Sequence, residues 1–393
     1  MKQIQSKRTW LSVIICAALI AIIALLPTGY ELAGSSDIDG SDRLRAKVVS
    51  VDDSTIKDTG LVRTGEQVCQ ITLLSGAHKG ETHRAYNMLN GSFEQDKIYK
   101  AGETALVLVS YDESGAQVAS VSMIDHYRIT GEVWLLLAFF AGLILFAGWT
   151  GLRAMLSFVL AVLSIWKVLV PACLNGMNPI LIGALITAAL SILTIALVFG
   201  FDRRCLSACT GAIIGLVITA VLGVICTNAF KIHGAVMSFS ESLLYSGFEH
   251  LNLTQIFMAS IFIGSSGAMM DLAVDIAASV HEVVEKRPDL SRWEAVVSGV
   301  HVGRAAMGTQ ITTLLLAYSG SYIALLMVFM AQGTPLINVF NYKYVASEII
   351  HTLVGSLGLV AVAPLTALAS GFFLARPKDT AQSSEAPAAV KNN

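Results

Sequence analysis

Residues 256–286 read IFMASIFIGSSGAMMDLAVDIAASVHEVVEK. The first half is apolar enough to lie in a bilayer. The helical pattern then runs on through Asp271 and Asp275 to His281 and Glu282. At about 100° per residue, Ser260, Gly264, Gly267, Asp271, Asp275, Ala278 and Glu282 share a narrow arc. Met269, Met270, Leu272, Val274 and Ile276 cover the remainder. The segment is therefore predicted to be a helix with one small-and-acidic stripe. Small residues let a neighbouring backbone approach closely, and Gly264 and Gly267 are assigned to such packing. Acids in a membrane helix are costly and normally face a bundle interior or a wet cavity.

Depth separates the acids. With the span starting near Ile256, Asp271 lies about 22 Å along it, in the inner half of the membrane. Asp275 falls near the cytoplasmic boundary and Glu282 outside the hydrocarbon. A carboxylate withdrawn from water is more easily protonated, so Asp271 is the candidate proton- or ion-coupling group. Asp275 either supports it or marks a helix end paired with Lys286, Arg287 or Arg304.

The whole chain agrees with a membrane reading. Of its 393 residues 54% are hydrophobic and 14% charged, with a mean hydropathy of +0.67. Soluble domains carry about 25% charged residues. Eight apolar runs are long enough to span, at about 10–27, 132–149, 154–173, 179–200, 208–227, 254–280, 306–331 and 348–374. The first follows Lys7 and Arg8 and has no clean small-residue cleavage site, so it is assigned as an uncleaved anchor. Placing the N-terminus inside puts Lys2, Lys7, Arg8, Arg153, Arg203, Arg204, Lys286, Arg287, Arg292, Arg304, Arg376 and Lys378 on the cytoplasmic side. The short outer loops keep only Lys231 and Lys343, a strong positive-inside bias. Both termini are then cytoplasmic, in a protein of the cell membrane.

The predicted organisation is a polytopic α-helical membrane protein of about eight transmembrane helices with a small extracytoplasmic β-rich domain. Residues 1–30 form the anchor, 31–131 the outer domain, 132–376 a seven-helix membrane domain and 377–393 a disordered cytoplasmic tail. The outer domain holds short β-prone runs (RAKVVSV, QVCQITLL, ETALVLVSY, QVASVSMI) separated by turn signals, which suggest a barrel or sandwich of OB type. It has few aromatics and no basic stripe, which argues against nucleic acid. The outer loop 228–252 reads as a short interfacial or re-entrant helix, with Leu244, Phe248 and Leu251 on one face.

The last two runs add polar groups. His301, Arg304, Gly308 and Thr312 can share a face, and Thr309, Gln310 and Thr313 place hydrogen-bonding groups just inside the membrane. Arg304 is a natural partner for Asp271 or Asp275, or snorkels to headgroups. Lys167 is expected to snorkel outward. Glu348 and His351 stand at the outer end of the last run. Gly355 and Gly358 suggest close packing there, and Pro364 removes a backbone bond. No metal or cofactor site is expected. Cys205 and Cys209 have no third ligand beside them, and His78 and His83 read as loop histidines. P-loop, H-E-x-x-H and G-x-S-x-G signatures are missing, so no enzyme is expected.

Several long motifs occur in order: QVCQITLLSGAHKGETHRAYNMLNGSFEQDKIYKAGETALV, MIDHYR, GSSGAMMDLAVDIAASVHEV, GVHVGRAAMGTQITTLLLAYSGSYIALLM and SEIIHTLVGSLGLVAVAPLTAL. In these the chain resembles the YibE/F family of bacterial membrane proteins, from about Arg45 to Arg376. The resemblance implies an architecture more than an activity. It also implies a partner, since members often occur beside a second family member without the outer domain. The last three helices are more distantly similar to a resistance–nodulation–division permease repeat, in which an acidic helix carries protons. Asp271 falls at one such acidic position, although Leu272 follows where the drug exporters have a second Asp, and eight runs replace six helices. Together these readings imply a secondary transporter coupled through Asp271, supported by Asp275, Arg304, Gln310 and Thr313. The competing reading is a non-transporting assembly protein that binds a partner through its outer domain. The substrate is not legible.

Overall fold

The computed structural model describes residues 2–27, 41–112 and 117–375. The Ala/Ser/Pro-rich tail falls outside them. The chain divides into two compact units, Ala33–Leu145 and Met1–Leu32 with Phe146–Asn393. The division falls within the helix that follows the sheet.

In the first unit the strands are β1 (Ser41–Asp52), β2 (Lys57–Asp58), β3 (Arg63–Leu73), β4 (Thr82–Asn90), β5 (Thr104–Tyr111) and β6 (Val118–His126). The sheet order is β1-β5-β6-β4-β3, and β1 pairs again with β3, closing five strands into a barrel with β2 appended. All pairs are antiparallel except β4–β6. This is a five-stranded Greek-key barrel of the OB kind, and closure leaves few open edges. Alternation drives it: along TALVLVSY the buried residues are Ala105, Val107 and Val109. Val48, Ile71, Leu73, Val107, Val109 and Val121 fill the interior.

That interior also holds polar groups. Gln67 is fully buried and donates from Nε2 to Asp53 Oδ1 (2.8 Å) and the Tyr99 carbonyl (3.0 Å). Its Oε1 accepts from Tyr99 N (2.9 Å) and Asn87 Nδ2 (3.1 Å). Every polar atom of the Gln67 amide is thus used, which removes most of the cost of burying it.

The second unit is helical. α1 (Lys2–Leu25) precedes the barrel, and α2 (Ile129–Ser164) follows it and continues through a π turn, Ile165–Leu169, into α3 (Val170–Leu174). α4 (Pro179–Phe199), α5 (Arg203–Ala229), α6 (Ser240–Tyr245), α7 (Leu253–Lys286), α8 (Arg292–Ser319), α9 (Ile323–Ala331), α10 (Leu336–Asn341) and α11 (Lys343–Leu374) complete it. α11 is central, contacting α5, α7 and α8. Small residues permit this. A Cβ on Gly211 or Gly215 of α5 would run into Thr366 or Val362, and one on Gly299 or Gly303 of α8 would press on Ala367 or Ala363.

Among the described residues, five helices are long and apolar enough to cross a membrane, or six if the bent pair α8–α9 counts as one span. The expected runs 132–149 and 154–173 fall in one helical stretch, Ile129–Leu174, interrupted where Gly148 adopts φ 52°, ψ −122°. The apolar part of α1, Trp10–Leu25, is shorter than the other spans. α8 begins at Arg292, well before the apolar run at 306, because Ser291 and Glu294 form a reciprocal capping box. The loop 228–252 contains a 3-10 turn (Gly234–Val236) and the six-residue α6. Ile232 and Val236 pack it against Phe257, Ile261, Ile350 and Val354.

Two cations close helix ends. Lys167 Nζ donates to the Ala24 and Leu26 carbonyls (2.6 and 2.9 Å) at the end of α1. Arg153 Nη1 donates to the Leu197 and Val198 carbonyls (2.8 and 3.2 Å) at the end of α4. Both satisfy carbonyls that a helix leaves without partners, and both place positive charge at the negative end of the dipole.

Candidate functional site

The buried face of α7 is formed by Met269, Leu272, Ala273, Ile276, Ala277 and Val280. Gly264, Gly267, Asp271, Asp275 and Glu282 lie on the exposed side. The stripe is one ordered face, but it points away from the bundle formed by this chain, contrary to the expectation of an interior acid. The reason is competition for the core: the large apolar side chains of α7 pack on α5, α8 and α11, and the opposite face is what remains. Asp271 and Asp275 make no hydrogen bond or ion pair with any described residue.

Contacts across the α7–α8 hairpin fix its register. A Cβ on Gly299 would meet Val280, one on Gly303 would meet Ile276, and one on Gly264 would collide with the Tyr318 hydroxyl. Asp271 is therefore level with Gly308 and Thr309, and Asp275 with Arg304. Even so, Arg304 forms no ion pair with a described residue; its side chain is exposed. Thr309, Thr312 and Thr313 are exposed and donate to carbonyls of their own helix, at Ala306 (2.8 Å), Gly308 (3.0 Å) and Thr309 (2.9 Å). Gln310 is half-buried. The register thus sets these residues at neighbouring levels of the hairpin without bringing them together: at about 100° per residue Arg304 and Thr313 fall on opposite faces of α8, and none of the predicted residues bonds another. Glu282 is spent on Lys286 (2.6 Å) at the helix end.

The glycines differ. A Cβ on Gly355 would come 3.0 Å from the Ser265 Cβ, and one on Gly358 would overlap Thr219 and Met269. Nothing lies within 4 Å of a Cβ built on Gly267.

A second polar cluster lies nearer the other end of the hairpin. Ser260 precedes Asp271 by about 16 Å along α7. The Ser260 carbonyl accepts from His351 Nε2 (3.1 Å), which places the proton on that nitrogen. The His351 ring stacks on Tyr318 with centroids 4.5 Å apart. Three residues earlier on α11, one Glu348 carboxylate oxygen is sealed from solvent with no hydrogen-bond partner among the described residues. It borders a groove of about 370 Å³ walled by Leu315, Tyr322, Leu326, Ile349 and Leu353, with Ser319 and Thr352 adding hydroxyls. Sequence reasoning noted Glu348 and His351 only as an end of the last helix. Their i, i+3 spacing and the Tyr-rich segment AYSGSY were the available signals.

Among the described residues no three His, Cys, Asp or Glu side chains are grouped to hold a metal ion. Cys205 and Cys209 touch through sulfur at 3.8 Å. His78 and His83 both hydrogen-bond Glu81 (3.1 and 3.0 Å), and these bonds hold the Glu81 carboxyl below its usual range.

Residues 135–376 match the family described as YibE/F-like protein. The chain belongs to this family. The match covers α2 from its first turns through α11, and so includes the acidic face, the Glu348 groove and the hub helix, while the barrel precedes it. Neither a curated protein nor a solved structure matches the chain. Family membership and the apolar helices make this YibE/F-like chain a membrane protein.

Proposed function

We propose that this YibE/F-like protein is a proton- or ion-coupled permease of the cell membrane, with Asp271 as the coupling carboxylate. The observation that carries the reading is the pair Asp271 and Asp275, in a 34-residue helix apolar enough to cross a membrane, with no ion pair to any described residue. An acid so placed in hydrocarbon is costly unless water, an ion or another protein surface covers it. Glu348 of α11, with one carboxylate oxygen sealed from solvent and without a hydrogen-bond partner among the described residues, supplies a further acid toward the opposite end of α7. Thr309 stands at the Asp271 level, Thr313 a helical turn away along α8, and Arg304 at the Asp275 level. In this reading both termini are cytoplasmic and the barrel lies outside, where it recognises substrate or gates access.

Asp271→Asn tests the proposal in membrane vesicles carrying a pH gradient, using solutes that the unaltered protein moves. Loss of gradient-driven movement at normal expression is expected. An Asp271→Asn variant that keeps full, still gradient-dependent transport would overturn it.

The uncovered acidic face also favours a second reading, a non-transporting assembly protein that binds a partner through its barrel and docks a second family member through its α7–α8 face. A stable partner that co-purifies, and is lost when residues 40–128 are deleted, would favour it.

A further inference from the structure

One end of the barrel has a property that the coupling mechanism does not use. β4 and β6 run parallel, with Ala85 opposite Val121 and Tyr86 opposite Ser122. Continuing that register places Asn90, the end of β4, level with His126, the end of β6. Thr64 pairs with Asn90, so the β2–β3 turn lies at this end too. The chain leaves the barrel here. Only Tyr127 and Arg128 separate His126 from Ile129, where α2 begins. Three residues reach at most about 10 Å. α2 at once presents exposed apolar side chains, at Ile129, Val133, Trp134 and Leu135. The outer bilayer surface that receives α2 must therefore lie within about a helical turn of this end of the barrel.

Two loop tips project from the same end. Leu61, in the turn between β2 and β3, is 76% exposed, and Phe93, three residues beyond β4, is 77% exposed. Both loops are braced from behind. Thr59 N and Oγ1 donate to the Val62 carbonyl (3.0 and 2.9 Å). Asp96 accepts from the backbone amides of Asn90, Gly91 and Ser92 (2.9, 2.6 and 2.8 Å). The large apolar tips are thus held outward by hydrogen bonds that do not involve them. Between them is an open groove of about 290 Å³ whose apolar wall includes Val62, Leu89 and Ile98. Its carboxylates are already engaged, Asp58 with Arg63 (2.7 Å) and Asp96 with the loop amides. A small-molecule site needs a few free, convergent polar groups. This surface has apolar tips and engaged acids, which suits a partner bound without directional contacts.

We infer that the Leu61 and Phe93 loops dip into the outer leaflet and seat the barrel on the lipid surface beside the entry of α2. Aromatic and aliphatic side chains at that depth sit at the boundary of headgroups and acyl chains, and Trp134 lies where an interfacial tryptophan belongs.

The test uses the full chain in nanodiscs of phosphatidylethanolamine and phosphatidylglycerol. Leu61→Cys, Phe93→Cys and Lys79→Cys are each labelled with an environment-sensitive fluorophore, and the signal of the unsubstituted protein is subtracted. Lys79 is exposed in the loop between β3 and β4, at the opposite end of the barrel. Lipids carrying a nitroxide near the headgroup are expected to quench the labels at 61 and 93 several-fold more than the label at 79. Equal quenching at the three sites would overturn the inference, because it would place the tips in water or against protein. The continued unreactivity of buried Cys69 verifies that each variant keeps the barrel folded; burial and the nearby Asp53 charge push that thiol up to about 11.

Discussion

At the scale of single residues, the glycines of the YibE/F-like membrane region divide by what faces them. Gly358 is closed in by Thr219 and Met269, whereas Gly267 faces open space. Gly358→Val should therefore destabilise the bundle by about 1–3 kcal/mol through overpacking, read as a lower melting temperature in detergent. Gly267→Val should leave that temperature unchanged apart from the modest helix-propensity difference. Equal loss at both positions would contradict the assignment of the Gly267 face as uncovered within the chain. From the sequence both residues looked alike, as glycines on helices rich in small side chains. Spacing alone cannot say which neighbour a glycine meets. Asp271 and Asp275 pose the same problem. Their common arc was legible, but its direction was not, because direction depends on which face of α7 packs better on α11.

At the scale of elements, the apolar runs located most of the helices, because length and hydropathy are local properties. Their ends were less legible. α8 starts at a capping box within a polar stretch, and α2 breaks at Gly148 and then runs on as helix through the expected turn at 150–153. In the barrel, alternation marked the strands, while closure between β1 and β3 is a long-range pairing that no local pattern announces. The loop after β4 makes a pH-dependent prediction. The Asp96 carboxyl is held below its usual range, chiefly by the Asn90 amide and further by those of Ser92 and Gly91. A depressed carboxylate stabilises the fold above its unfolded value, about 3.9, and the contribution fades as pH falls through the lowered folded value. Protection of the Gly91 and Ser92 amides, measured by hydrogen exchange and corrected for intrinsic rates, should fall on acidification below about pH 4. Asp96→Asn should lower it at neutral pH. Protection that is flat with pH and unaffected by the substitution would refute this role.

At the scale of the molecule, the chain joins a closed barrel to a bundle organised around α11, and leaves the acidic face of α7 outside that bundle. The membrane class and the family were legible in composition and in long motifs. The Glu348 groove was not, since α8 and α11 bring its walls together from distant parts of the chain. The central claim is that Asp271 exchanges a proton or ion within the membrane region. It is tested most directly by pH-difference infrared spectroscopy of the protein in lipid, comparing the unaltered chain with Asp271→Asn and Asp275→Asn. A protonated-carboxyl band that comes and goes with pH, disappears in Asp271→Asn and survives in Asp275→Asn is expected. A spectrum unchanged by Asp271→Asn would contradict it.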